Sequence, residues 1–386
     1  MTALRRRTTS LLLLLPLTGS AAPDPAALRA IVDETVRPLM AEHDLPGMAV
    51  AVTVDGQSAI FNYGLASRAD NKPVDERTVF EIGSVSKTFA ATLASWAQVQ
   101  GKLSLAAHPS KYWPALKGSA IDKATVLHLG TYTPGGLPLQ FPDELTDPEP
   151  ARYYRDWKPA AAPGKSREYS NPSLGLFGHV TARALGRDYA EAVETILFPA
   201  FGMTSSYVNL PDTARPNYAW GYQDGKAVHF TEEPFSAITY GVRATAADLL
   251  RFVQANMAPQ QLEPVLRRAV EGTHVGHFRV GAMVQGLGWE QYAYPVKLRT
   301  LLDGNSESMI WERHPVRRLK RASVPAGPTL YNKTGSTGGF GAYVLFVPEK
   351  KIGIVMLANR NYPIPSRVKA GYAILERLAT KVAISK

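Results

Sequence analysis

"GAYVLFV" (341–347) and "IGIVMLA" (352–358) are two unbroken apolar runs joined by the polar tetrapeptide "PEKK" (348–351). Such runs fit strands covered on both faces, and so short a link makes them antiparallel neighbours. C-terminal to them, "SRVKAGYAILERLATKVA" carries Val368, Tyr372, Leu375, Leu378, Ala379 and Val382 at helical spacing, so a final helix packs beside these strands. At the other end, "PDPAALRAIVDETVRPLM" puts Leu28, Ile31, Val32, Val36, Leu39 and Met40 on one helical face, with Asp24 and Pro25 at the cap and first turn. "GMAVAVTVDGQSAIFNYGLAS" then reads as a hairpin about Asp55-Gly56. From Thr88 to about His274 the pattern turns to helices joined by loops rich in Pro, Gly, Asn and Asp, with a long irregular stretch from Tyr207 to Tyr240. Strands at both ends and helices between them give an α+β fold. One largely antiparallel sheet is built from both termini and flanked by N- and C-terminal helices, with a mostly helical lobe inserted. The expected organisation is a single domain of two lobes over 22–386, the sheet lobe at about 22–83 and 276–386 and the helical lobe at about 84–275.

The chain has 386 residues, 45% of them hydrophobic and 20% charged, enough for a full core. Residues 1–21 read as a secretory signal peptide: "MTALRRR" is a basic start, "LLLLLPL" a short apolar run, and "TGSAA" a small-residue cleavage site. The apolar run is too short to span a bilayer, so an exported protein without a membrane anchor, in the periplasm, is expected. Removing Arg5, Arg6 and Arg7 lowers the formal charge from +10 to +7. The densest basic run, "VRRLKR" (316–321), lacks interleaved aromatics and reads as a solvated loop, so no nucleic-acid partner is expected. There is no cysteine, which removes disulfides and thiol chemistry, and the eight histidines are scattered without metal-site spacing. No metal or other cofactor is expected.

Ser84 and Lys87, in "EIGSVSKTFA" (81–90), stand three apart at a helix start. A serine hydroxyl needs a base within hydrogen-bond reach, and one helical turn supplies that distance. Yet Ser366 and Lys369 in "PSRVK" share the spacing, and a serine at a helix start also reads as a cap. For lysine to act as a base, burial or a second cation must lower its pKa. Lys333-Thr334-Gly335, the only K-T-G, supplies that cation, with Gly335, Gly338 and Gly339 permitting close backbone approach. A proton relay has two candidates. In "YSN", Tyr169–Asn171, Asn171 reads as a helix cap before Pro172; in "YVN", Tyr207–Asn209, the tyrosine sits in a short extended piece. Tyr169, anchored by a helix, is the better placed.

"FEIGSVSKTFAATLASW", "TYTPGGLPLQFPDE", "YSNPSLGLFGHV", "NYAWGYQDGKAVH", "YGVRAT", "GLGWE" and "KTGSTGGFGAYVLFVPEKKIGIVMLANRNYP" together closely resemble class C β-lactamases, the serine cephalosporinases. The resemblance runs in order from about residue 24 to 380. It implies an antiparallel sheet beside a helical lobe, the site in the groove between them, and a monomer needing no cofactor. It also implies that β-lactam antibiotics are the substrates or covalent inhibitors. By resemblance, Ser84 is the nucleophile, and Lys87 and Tyr169 are the proton-transfer pair, with the acylation base open between them. Lys333 polarises Tyr169 and attracts the substrate carboxylate. The N–H groups of Ser84 and Ser336 form the oxyanion hole. Asn171 hydrogen-bonds Lys87 and the substrate's side-chain amide, Gln140 and Tyr240 line the acyl side-chain region, and Thr334 and Gly335 border the substrate. Asn361 and Arg367 lie near its carboxylate.

Two departures stand out. Ile364 occupies a place where many members carry asparagine, and an apolar side chain cannot donate a hydrogen bond there. Asn332 precedes K-T-G where some members have histidine. A penicillin-binding D-alanyl-D-alanine peptidase or related serine esterase shares Ser, Lys and Tyr and is the alternative; a non-catalytic sensor of the same fold is a second.

Overall fold

The computed structural model describes residues 25–384. The leader expected over 1–21 and the Asp24 cap lie outside these residues.

The chain opens with α1 (Pro25–Glu42), which buries Leu28, Val32, Val36 and Leu39 on one stripe. β1 (Gly47–Val54) and β2 (Gln57–Ser67) follow as a hairpin. Its turn residues, Asp55 and Gly56, both have positive φ, at 50° and 88°. Such backbone follows the right-handed twist of the strands, and aspartate and glycine tolerate it. The short β3 (Lys72–Pro73) ends this edge. After the helical region come β4 (Gly276–Val280), β5 (Met283–Gln285), β6 (Glu290–Ala293), β7 (Arg317–Ser323), β8 (Thr329–Ser336), β9 (Gly341–Val347) and β10 (Ile352–Ala358). The ten strands form one sheet in the order β7-β4-β5-β6-β8-β9-β10-β1-β2-β3, with every pairing antiparallel.

The two apolar runs are β9 and β10, buried at every position. One face packs on the terminal helices through Tyr343, Leu345, Ile354 and Met356 with Val368, Ile374, Leu375 and Leu378. The other carries Val344, Phe346, Val355 and Leu357 into the core of the helical region. Helices on both faces explain why these strands lack polar alternation. Lys351, at the end of the "PEKK" link, takes a left-handed conformation, φ 53°.

Four helices anchor the region between the two halves of the sheet: α2 (Ser86–Val99), α3 (Asn171–Leu185), α4 (Ala246–Met257) and α5 (Pro264–Thr273). α2 is buried almost all round and packs against α3 and α5. The short α6 (Glu307–Trp311) precedes β7, and α7 (Ile364–Ile384) closes the chain. On α7, Val368, Leu375 and Leu378 are buried and Tyr372 and Ala379 partly so; the Val382 side chain lies outside the described positions.

One expectation is overturned. The basic run read as a loop is β7, the outermost strand of the sheet, with Arg317, Arg318 and Lys320 exposed. Charges on an edge strand discourage pairing with another chain, which explains a strand where composition suggested a loop.

Because Ile354 is fully buried in a central strand paired with Val52 and Leu345, Ile354→Ala is expected to lower unfolding stability by about 2–5 kcal/mol. Denaturant unfolding followed by circular dichroism measures this.

Candidate active site

The chain leaves the two-residue strand Phe80–Glu81, makes a single 3-10 turn over Gly83–Val85 and enters α2 at Ser86. Among the described residues no side chain caps either the turn or the helix. The Ser84 hydroxyl instead accepts a hydrogen bond from Lys87 Nζ at 2.8 Å, so the cap reading fails. Lys87 is fully buried, and its second acceptor is the Thr239 carbonyl at 2.8 Å. Burial pulls its pKa from 10.5 down to about 8, with the nearby Lys333 charge adding to the effect and Tyr169 opposing it.

β8 carries Lys333, Thr334, Gly335 and Ser336 along the turn that holds Ser84. Two glycines make that approach possible. A Cβ on Gly335 would stand 2.0 Å from the Ile82 carbonyl oxygen, and one on Gly83 would stand 2.4 Å from the Ser336 nitrogen. Gly83 also has a φ of 52°. The turn that carries Ser84 and the backbone of Ser336 are therefore in close contact.

Tyr169 lies between the two lysines: Lys333 Nζ is 4.9 Å and Lys87 Nζ 5.3 Å from its ring centroid. Burial pushes the phenol pKa up, but Lys333 and then Lys87 outweigh it, bringing the group down to about 8. Among the described residues its buried hydroxyl makes no hydrogen bond of good geometry, while the Ser84 side chain is near enough to favour the phenolate further. The residue before α3 explains the placement. Ser170, rather than the expected Asn171, caps the helix by accepting from the Ser173 N–H at 3.0 Å, and Pro172 follows in the first turn. With capping done by its neighbour, Asn171 is free to turn its amide toward the groove.

The Asn171 amide donates to Gln140 Oε1 at 2.6 Å, and its own oxygen is buried without a partner among the described residues. The expected contact with Lys87 is not made; Lys87 spends its bonds on Ser84 and Thr239. Gln140, Tyr240, Thr334, Gly335, Ser336, Asn361 and Ile364 border the same groove, whose volume is about 620 Å³. Tyr240 is anchored by its hydroxyl to Glu233 Oε2 at 2.8 Å. Ile364 begins α7 and presents an apolar side chain near Asn361. Arg367 is not on the groove wall. It is fully buried behind β8, where Nη1 donates to the Gly335 carbonyl at 2.6 Å and to Ser336 Oγ at 2.9 Å, and Nη2 to Asn361 and to the Tyr362 carbonyl. It braces the strand from the rear.

Ser366 sits in α7 and is absent from the groove wall, and Tyr207 lies in the short strand Ser206–Tyr207, paired with Arg243 away from Ser84. Arg167 and Glu290, which composition and spacing did not single out, do border the groove. Arg167 Nη2 meets Glu290 Oε1 at 3.4 Å, with both side chains buried. Its guanidinium also donates to Gln285 at 2.9 Å and to the Met309 carbonyl at 2.9 Å, and faces the rings of Tyr132 and Tyr169. The only hint in the sequence is that Arg167 stands two residues before Tyr169.

Since the Gly335 contact is with backbone, Gly335→Ala must displace the Ser84 turn or β8. Misplacement of that order is expected to lower catalytic efficiency about 100-fold with the fold retained. Steady-state kinetics beside a melting curve checks it.

The family model described as Beta-lactamase matches residues 32–379. A beta-lactamase of Pseudomonas fluorescens is 48% identical over 353 residues, 91% of this chain and 99% of its own. Among solved structures, a class C beta-lactamase in complex with cefoxitin superposes with a TM-score of 0.88 at 46% identity, covering 91% of this chain and 99% of that one. A D-alanine carboxypeptidase from Burkholderia cenocepacia does so with a TM-score of 0.88 at 50% identity, covering 92% and 100%. A groove in which two lysines flank a tyrosine beside a serine, on a chain matched almost end to end, leaves one assignment: the protein belongs to the beta-lactamase family.

Proposed function

We propose that the protein is a class C serine β-lactamase that opens the β-lactam amide bond, preferentially of cephalosporins, through an acyl-enzyme on Ser84. The observation that carries this reading is the 2.8 Å bond between Ser84 and a fully buried Lys87 whose pKa is lowered to about 8. A lysine in that state accepts a proton near neutral pH.

Ser84 Oγ attacks the lactam carbonyl carbon while its proton passes to Lys87 or Tyr169. The oxyanion is held by the N–H groups of Ser84 and Ser336, and Arg367 keeps the second in place from behind. The C–N bond breaks, and the ring nitrogen takes a proton from the Lys87–Tyr169 pair. Water then attacks the ester, with Tyr169 taking its proton, and Ser84 regains its own. Lys333 meets the substrate carboxylate, Asn361 and Thr334 border it, and the apolar Ile364 offers it no hydrogen bond. Asn171, Gln140 and Tyr240 receive the acyl side chain.

The protein acts as a monomer in the periplasm, reached through the leader at 1–21. No helix among the described residues is long and apolar enough to cross a membrane. A second reading, D-alanyl-D-alanine peptidase, draws on the solved relative of that name. It differs in whether the acyl-enzyme is released quickly by water.

Mixing the protein with a chromogenic cephalosporin and, separately, with a D-alanyl-D-alanine peptide separates the two, with intact mass reporting adducts. Rapid multiple turnover of the cephalosporin, lost in Ser84→Ala and kept in Ser366→Ala, is the expected result. A stable adduct without turnover overturns it in favour of the peptidase.

The pH profile gives a further expectation. Whichever of Lys87 and Tyr169 accepts the proton, the accepting form grows as pH rises through about 8, so the acylation rate climbs across that pH. Lys333 lowers both pKa values, so Lys333→Met is expected to move the rising limb to higher pH. Stopped-flow acylation between pH 6 and about 10 measures the shift.

A further inference from the structure

Glu81 stands three residues before Ser84 and is 1% exposed. Its side chain reaches three neutral donors from two walls of the groove. Oε1 accepts from the Tyr218 hydroxyl at 2.5 Å and from the Phe230 N–H at 3.0 Å, and Oε2 accepts from the Thr337 hydroxyl. Tyr218 and Phe230 belong to the irregular 207–240 stretch. The Tyr218 ring stacks on His229, centroids 3.8 Å apart, and the Phe230 ring meets Tyr240 edge-on at 5.7 Å. Thr337 directly follows Ser336 at the end of β8. His229, Phe230, Tyr240, Ser336 and Thr337 all border the groove.

A buried carboxylate costs free energy unless its oxygens are hydrogen-bonded, and its removal leaves buried donors unpaired. Here the two oxygens serve different walls, so one side chain fixes the distance between them. We propose that Glu81 is a positioning residue coupling the 207–240 wall, which receives the acyl side chain, to the Ser336 end of the oxyanion strand. This inference rests on the β-lactamase reading of the groove. The two arms act separately. The Thr337 arm sets the Ser336 N–H and so the chemical step for every substrate. The Tyr218 and Phe230 arm sets the wall and so the binding of large acyl groups alone. Hydrogen bonding rather than charge is what Glu81 supplies. In Glu81→Gln the amide oxygen serves Tyr218 and Phe230, while the amide N–H faces the Thr337 hydroxyl, which can accept as well as donate.

The test uses two cephalosporins of the same nucleus and leaving group, one with a small and one with a bulky acyl side chain. kcat is expressed per active site titrated by the acylation burst. Thr337→Val is expected to lower kcat about tenfold on both substrates, and Tyr218→Phe to raise KM about fivefold for the bulky one alone. Glu81→Ala shows both effects, Glu81→Gln stays within about threefold of wild type, and Thr337→Val adds less than about twofold in the Glu81→Ala background. Unchanged kcat and KM per active site in Glu81→Ala, or full additivity in the double variant, overturns the proposal. If Glu81→Ala does not fold, Tyr218→Phe raising KM for both substrates alike, or Thr337→Val leaving kcat unchanged, overturns it. The wild-type rate on the two cephalosporins judges the β-lactamase reading, whereas ratios between variants judge Glu81.

Discussion

An amine sealed from water beside a hydroxyl is the constraint on which the site depends. Taking an ammonium out of water costs several kcal/mol unless partners replace the hydration, and Lys87 has two, Ser84 Oγ and the Thr239 carbonyl. A second amine on Lys333 near the same phenol ring makes full charge at Lys87 dearer still. The protein meets this strain with rigidity around it. α2 is buried on nearly every side, β8 is pressed on the turn at Gly83 and Gly335, and Arg367 holds β8 from behind. Three parts of the chain distant in sequence thus share one electrostatic problem, and its compromise is an amine and a phenol both brought down to about 8.

The sheet was legible because its central strands are apolar at every position and the hairpin turn carries Asp55-Gly56, both direct consequences of burial and twist. That Ser84, Lys87, Tyr169 and Lys333 meet was legible for a different reason: the proposed chemistry needs base, cation and relay together, and the chain holds one K-T-G and one helix-anchored Y-S-N. What stayed hidden depends on contacts between remote segments. Nothing local in "VRRLKR" marks an edge strand, because pairing with β4 decides it. Nothing local tells that Arg167 and Glu290 face each other, or that Arg367 points behind β8 rather than into the groove. Capping by Ser170 instead of Asn171 is a one-residue difference that propensity cannot resolve, since both residue types cap well.

The aromatic side chains of the 207–240 stretch explain how a segment with little regular structure keeps a shape. Tyr218, His229 and Trp220 form a nearly parallel stack, with neighbouring rings 7° from parallel, and Arg243 lies over both Tyr218 and Phe230. Such contacts, with the two-stranded ribbon Gly221–Gln223 and Lys226–Val228, replace the backbone ladder of a longer element.

The strand order also governs when the molecule can come into being. β1 lies beside β10, with Met48 opposite Ala358, so the middle of the sheet joins the chain's beginning to its end. During synthesis the first hairpin has one flank unpaired until almost every later residue has emerged. Contacts of such sequence separation form late and slowly. Ser84 is therefore made long before the strand that completes its surroundings, and a nascent or prematurely ended chain carries Ser84 without β8 beside it.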